Sequence, residues 1–337
     1  MFVGLVGKPS AGKSTFFKAA TLMNVDTANY PFTTIKPNSG VGFVKIKSAA
    51  VEFDKVPNPR EGYFKDGWRF VPIQVLDVAG LVPGAHEGKG MGNQFLSDLN
   101  QADVLIHVVD VSGSLNEKGE QVDAGSHDPA KDVRFVEHEL DMWYYQIFQK
   151  IFKKFSNTVN QQKEDIVKAI AKQFSGLRVT EDIVKDALKN LGLDDKQIIK
   201  WEDSDLKKLM QYFRIRTKPI IIAANKADVP GAKENFDRIK KEFPNYIIIP
   251  CSAESEFALK GADKAQLINY VPGESDFKIS DETKINDKQK QGLSFIKEKM
   301  LDNFGSTGIQ DVLNKAVFEL LKYVAIFPAG DKLCDSD

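Results

Sequence analysis

The stretch Phe2-Val3-Gly4-Leu5-Val6-Gly7-Lys8-Pro9-Ser10-Ala11-Gly12-Lys13-Ser14-Thr15 decides the fold. Phe2 to Val6 is a short apolar run of the kind that becomes a buried parallel strand, and Lys13 to Met23 follows with a helical pattern. Between them, Gly7 to Ser14 matches G-x-x-x-x-G-K-[ST]. Glycines let such a loop wrap tightly enough for successive N–H groups to converge on phosphate oxygens, and the helix N-terminus adds its positive end. Lys13 is then expected to reach the terminal phosphates and the Ser14 hydroxyl to ligate Mg²⁺.

Further apolar runs at Val71 to Leu76, Val104 to Val109, Pro219 to Ala224 and Tyr246 to Ile249 read as strands, with helical patterns such as Gly92 to Gln101 between most of them. Val41 to Ile46 reads as an edge strand against Val71 to Leu76. The alternation predicts an α/β fold, a mostly parallel sheet with helices on both faces. Ligands in such sheets sit at the carboxyl ends of strands. Three further motifs occur at such ends. Asp77-Val78-Ala79-Gly80 offers a carboxylate for a Mg²⁺-bound water and a Gly80 N–H that can sense a γ-phosphate. Asn225-Lys226-Ala227-Asp228 offers a carboxylate able to accept from guanine N1–H and the exocyclic amine, which adenine cannot match. There Asn225 is expected to tie the loop to Gly7–Ser14, and the Lys226 stem to cover the base. Ser252-Ala253 supplies backbone amides for guanine O6.

The sheet pattern is interrupted from 112 to 217. A polar loop, Ser112 to Ser126, precedes Asp128-Pro129, an N-cap followed by proline at the first helical position. Val133, Val136, Leu140, Trp143, Ile147, Ile151 and Phe155 then form one apolar stripe on a long helix. Further helices are expected over Val159 to Phe174, Thr180 to Gly192, and around Ile198 to Phe213. Trp143 and Tyr144 read as packing of this helical subdomain. After the fifth strand, helices are expected over Ala253 to Ile268, Asp287 to Phe304 and Gly308 to Tyr323, then a strand at Tyr323 to Phe327. The expected organisation is a G-domain first part (1–111), a helical insertion (112–217), a G-domain second part (218–322) and the start of a further domain (323–337).

The 337 residues balance 46 Lys and Arg against 47 Asp and Glu, so no bulk charge marks a nucleic-acid or membrane binder. Two cysteines far apart give no disulfide framework, and no apolar stretch approaches a membrane span. A cytoplasmic location, with neither membrane nor DNA as partner, is expected.

The order of the motifs resembles G1 to G5 of the translation-factor-like GTPases. Tyr30-Pro31-Phe32-Thr33-Thr34-Ile35-Lys36-Pro37-Asn38 is similar to the switch I signature of the Obg-related group. Asp77 to Leu96, with its glycines, is similar to that group's switch II, and the insertion before Asn225 resembles the YchF branch, particularly its archaeal or eukaryotic relatives. The resemblance implies GTP/GDP binding by Gly7, Pro9, Ser10, Ala11, Gly12, Lys13, Ser14, Thr15, Asp77, Asn225, Lys226, Asp228, Ser252 and Ala253. It implies Mg²⁺ on Ser14, Asp77 and Thr34, with Thr33 the fallback. It also implies a ribosome or other RNA assembly as effector, and a TGS domain beginning at Tyr323.

Two departures matter. Many YchF proteins lack the aspartate of the guanine motif and prefer ATP, whereas Asp228 is present here. Ser10 stands where Obg-group loops commonly carry an asparagine linked to K⁺, which puts a potassium requirement in doubt although a serine oxygen can still contribute. Leu81 occupies the place of the water-orienting glutamine of Ras-type enzymes and has no hydrogen-bonding atom. Catalysis then falls to Lys13, Thr34, Gly80 and Mg²⁺, with His86 as a candidate substitute. The expected activity is slow GTP hydrolysis by a molecular switch. A YchF-like ATPase or stress regulator is the alternative; a P-loop small-molecule kinase is disfavoured because no Arg cluster lies near the switches.

Overall fold

Val3, Leu5 and Val6 are fully buried, because the strand they form has neighbours on both edges and helices over both faces. The computed structural model describes residues 1–21, 39–77, 81, 84 and 99–327. In it β1 (Phe2–Val6) is followed by α1 (Lys13–Thr21), β2 (Ser39–Lys47), β3 (Tyr63–Lys65), β4 (Trp68–Asp77) and β5 (Val104–Asp110). The insertion contributes α2 (Pro129–Gln162), α3 (Ile166–Gln173), α4 (Glu181–Leu191) and α5 (Asp203–Thr217). Then come β6 (Ile220–Asn225), α6 (Ala232–Glu242), β7 (Ile248–Pro250), α7 (Ala253–Lys264), β8 (Ile268–Tyr270), β9 (Phe277–Ile279), α8 (Asp287–Ile296) and α9 (Ile309–Lys315).

The seven-stranded sheet runs β2-β4-β1-β5-β6-β7, with β3 beside the start of β4. Val3 pairs with Val75 on one side and Val104 on the other, both parallel; β2 is the edge strand and pairs with β4 as expected, in antiparallel orientation. One face packs Leu5, Ile106 and Ile221 against Phe16 of α1 and Val312 of α9. The other packs Val6, Leu76 and Leu105 against Val136, Leu140 and Tyr144 of α2. The same cluster continues without a break to Phe148, Phe174, Trp201 and Phe213, so the insertion is rooted in the sheet core. Trp143 and Tyr144 are both buried in it, with the Tyr144 hydroxyl 2.8 Å from Thr217 Oγ1. Asp128 caps α2 as expected, accepting from the Ala130 N–H at 3.0 Å. No helix among the described residues is long and apolar enough to cross a membrane.

Four expectations are corrected. The helix begun at Asp128 runs through Val159 to Gln162. The break lies at Lys163, which is left-handed (φ 51°), and Asp165 caps a separate α3. The helix expected to reach Ile268 stops at Lys264, and Ile268–Tyr270 pairs with Phe277–Ile279 around the Pro272-Gly273 turn. Three-residue strands leave almost no periodicity to read. The fifth strand spans Ile248–Pro250 rather than starting at Tyr246. Tyr323 to Phe327 forms no strand; Val324 and Ile326 are exposed where the chain passes a cavity of about 380 Å³ lined by Val44, Val71 and Phe318. The remainder of the expected further domain, 328–337, lies outside the described residues.

Candidate nucleotide site

Gly7 to Ser14 joins β1 to α1, and two close approaches explain its glycines. A methyl group on Gly7 (φ 147°) would meet the Val108 carbonyl at 2.5 Å, and one on Gly12 (φ 97°) would meet Asn225 Nδ2 at 2.2 Å. Ser10 is left-handed at φ 62°, Ala11 is buried, and the Phe16 N–H donates to the Gly12 carbonyl at 2.8 Å to start the helix. Pro9 is covered by the 112–126 loop, whose Gly119 would touch the Pro9 carbonyl at 2.7 Å if it carried a methyl. Thr15 sits half-buried in the first turn of α1.

Lys13 is buried and donates to the Lys8 carbonyl at 2.7 Å. Burial lowers its pKa from 10.5 to about 8, against the opposing pull of the Asp77 carboxylate. Ser14 Oγ donates to Asp77 Oδ2 at 3.0 Å, so the two oxygens read as metal ligands are side by side. A hydroxyl beside a carboxylate is the donor chemistry of a hard divalent cation. Thr33, Thr34, Gly80 and His86 lie outside the described residues. Leu81 does not: its N–H donates to the Gly7 carbonyl at 3.2 Å, while its side chain is buried with Val6, Leu76 and Leu99.

Asn225 ends β6 and bridges two loops. Its Nδ2 donates to the Ala11 carbonyl at 3.0 Å, and its Oδ1 accepts from the Ala253 N–H at 3.0 Å. The Ser252 N–H donates to the Thr307 carbonyl at 3.0 Å. Both amides expected around guanine O6 are therefore committed within the protein; Ser252 Oγ instead caps α7 by accepting from Ser255 N–H. Lys226 is left-handed (φ 63°), and its ammonium lies 3.0 Å from Asp110 Oδ2 and 3.2 Å from Ser114 Oγ. Asp228 is half-buried, and its carboxylate has no hydrogen-bond partner among the described residues. Beside it an open cleft of about 890 Å³ is bounded by Ser112, Ser114, Val122, Lys226 and Glu254.

The sequence reading missed several neighbours of this site. Asp110 is completely buried at the end of β5 and accepts from the Ser112 N–H, Ser112 Oγ and Ser114 Oγ as well as Lys226. An aspartate closing an apolar strand was the available signal. Lys8 turns away from the phosphate side to pair with Asp132 of α2 at 2.6 Å, both buried, and His127 Nε2 lies 2.8 Å from the other Asp132 oxygen. The Gly84 N–H donates to the buried Glu139 carboxylate of α2 at 2.9 Å. His107, beneath the loop, has its pKa pushed down to about 3 by burial and then by Lys13 and Lys8, so it is neutral.

Comparison with known proteins fits this geometry. A 50S ribosome-binding GTPase family model matches residues 2–137, and the G4 motif-containing domain of the Obg-like GTPase YGR210-like family matches 223–331. A GTP-binding protein of Methanocaldococcus jannaschii is 46% identical over 335 residues, covering 99% of this chain and 83% of that protein. The chain belongs to the YchF-type Obg-like GTPases. A crystal structure of a GTP-binding protein from Pyrococcus horikoshii matches with TM-score 0.77 and 36% identity, over 100% of this chain and 84% of that one. The ribosome-binding ATPase YchF of Bacillus subtilis is 29% identical over 280 residues, 80% of this chain and 70% of that protein. Membership of this Obg-like family makes the chain a GTP-binding protein with the site of a nucleotide hydrolase.

Proposed function

We propose that this protein hydrolyses GTP to GDP and phosphate slowly, as a Mg²⁺-dependent switch whose effector is the ribosome. The observation that carries the nucleotide part is the pair of hydrogen bonds from Asn225 to Ala11 and Ala253, which ties the Asn225–Asp228 loop to the Gly7–Ser14 loop. Ser14 and Asp77, with Thr34 of switch I, would hold the Mg²⁺, which when bound offsets phosphate charge. Lys13 and the loop amides bind and orient the phosphates, and Gly80 senses the terminal one. With Leu81 buried, no side chain at that position orients water, which suits slow turnover. The ribosome enters by similarity to the ribosome-binding ATPase YchF of Bacillus subtilis.

A second reading, an ATPase with the same hydrolytic core, is favoured by that relative's name, and Asp228 speaks against it. Calorimetry with GDP, GTP, ADP and ATP decides between them. Guanine nucleotides binding at least tenfold more tightly is the expected outcome, and equal affinities would select the ATPase. Co-sedimentation with ribosomes in the GTP and GDP states tests the effector.

A further inference from the structure

We propose that Glu139 of α2 is a positioning residue for GTP hydrolysis, holding the segment that follows Asp77 where its backbone can meet the terminal phosphate. This rests on the hydrolytic reading above and deepens it by naming what steadies that segment. Asp132 and Glu139 are the two carboxylates among the buried residues of α2, and each is 5% exposed. Seven residues apart, they lie within about 20° of each other on one face of the helix. Around them Val136, Leu140 and Trp143 enter the apolar core. A carboxylate buried in such company is costly unless it is partnered.

The partners come from two different loops of the nucleotide site. Asp132 pairs with Lys8 of the Gly7–Ser14 loop at 2.6 Å. Glu139 Oε1 accepts from the Gly84 N–H at 2.9 Å, with Gly84 left-handed at φ 81°. Three residues earlier, Leu81 is buried in the same cluster as Val136 and Leu140, and its N–H donates to the Gly7 carbonyl at 3.2 Å. Gly80, the expected sensor of the terminal phosphate, directly precedes Leu81. The chain after Gly80 is thus tied to α2 by apolar packing at Leu81 and by a charge-assisted hydrogen bond at Gly84. Leu81 has no atom with which to orient water, so turnover depends on how firmly backbone groups are held. The Glu139 bond is the polar part of that hold. Asp132 steadies the phosphate loop, which serves GTP and GDP alike, whereas Glu139 steadies a segment that only the terminal phosphate engages.

The test is single-turnover GTP hydrolysis by the whole chain, with calorimetry of GDP and of a non-hydrolysable GTP analogue, both with Mg²⁺. Glu139→Ala is expected to hydrolyse GTP about tenfold more slowly and to lose about fivefold in analogue affinity relative to GDP. Its GDP affinity should stay within about twofold of the parent, which also shows that it folds. Glu139→Asp keeps the charge but falls one methylene short of Gly84, and it carries the same expectation if the alanine variant does not fold. Glu139→Gln keeps a carbonyl oxygen of the same reach and should recover most of the rate. Asp132→Asn should weaken GDP and the analogue alike. The proposal is overturned if Glu139→Ala hydrolyses GTP like the parent or loses GDP as heavily as the analogue. It is equally overturned if Glu139→Gln is as slow as Glu139→Ala, or if Asp132→Asn shifts the analogue-to-GDP ratio as far. A parent that hydrolyses GTP no faster than Glu139→Ala keeps the hydrolytic reading and loses the positioning role, whereas a parent that hydrolyses neither GTP nor ATP loses both. A parent that prefers ATP is compared in the same way with ATP and ADP, because Glu139 acts on the side of the terminal phosphate and not on the base.

Discussion

Gly12 and Asn225 approach so closely that a single methyl group on Gly12 would lie 2.2 Å from Asn225 Nδ2. This contact and the two Asn225 hydrogen bonds hold the Gly7–Ser14 loop and the Asn225–Asp228 loop to each other. Asn225→Ala would leave the Ala11 carbonyl and the Ala253 N–H without this buried partner, at about 1–3 kcal/mol each. Gly12→Ala adds the clash and a backbone strained at φ 97°. Both variants should lose at least a hundredfold in GDP affinity, with Gly12→Ala the worse for binding. Calorimetry and a thermal melt of each would check this; parent-like affinity in Asn225→Ala would mean the bridge is ornamental.

Leu81 is expected to matter to stability and little to chemistry. Its side chain is buried with Val6, Leu76 and Leu99 in one core cluster. Leu81→Ala should therefore cost about 2–5 kcal/mol of folding free energy. Single-turnover GTP hydrolysis should stay within about tenfold of the parent, or about 1.4 kcal/mol of barrier. A several-hundredfold loss in a variant that still binds GDP would assign the side chain a direct role.

The lowered pKa of Lys13 gives the nucleotide site a pH dependence. Below about 8 both folded and unfolded chains hold the Lys13 proton, and the cost of burying the charge is present in full. Between about 8 and the ordinary 10.5 only the unfolded chain holds it, so the nucleotide-free protein gains stability from this group as pH rises. Bound phosphate favours the charged form and reverses the preference. GDP affinity should fall as pH rises above about 8, and binding there should take up a proton. Calorimetry at pH 8.5 in buffers of different ionisation enthalpy measures that uptake. No uptake in the parent would place the phosphate out of reach of Lys13.

The sheet and the phosphate loop were legible because each rests on local signals, apolar runs bounded by glycine and polar residues. Leu81 was legible for a similar reason, since a leucine in that place cannot bond water. The tertiary competition for hydrogen bonds was not. Nothing near Ser252 and Ala253 announces that their amides will be taken by Thr307 and Asn225, one of them far along the chain. The break at Lys163 was hidden because Val159 and Ile166 keep a helical interval across it. Asp110 was visible as a polar end to an apolar strand, yet its meaning depends on Lys226, which the fold brings to it. The pairing of Lys8 with Asp132 likewise joins the first motif to the insertion, and no spacing rule connects them.

The sharpest test concerns base choice at Asp228. Guanine presents two donors, N1–H and the exocyclic amine, and a carboxylate accepts both. Xanthine keeps N1–H but replaces the amine with a carbonyl, setting an acceptor against that carboxylate. Asp228→Asn offers an amide donor to that carbonyl while its own oxygen still faces N1–H. The variant should therefore lose GDP and gain xanthosine diphosphate. A buried mismatch of this kind is worth several kcal/mol, so a relative swing on the order of a hundredfold or more is expected. ADP should stay a poor ligand of both proteins, because adenine presents an unprotonated N1 to either side chain. Competition of GDP, xanthosine diphosphate and ADP against a fluorescent nucleotide, parent and variant side by side, gives the answer. A parent that binds ADP as tightly as GDP would transfer the assignment to the ATPase reading. An unchanged GDP preference in Asp228→Asn would mean that another group reads the base.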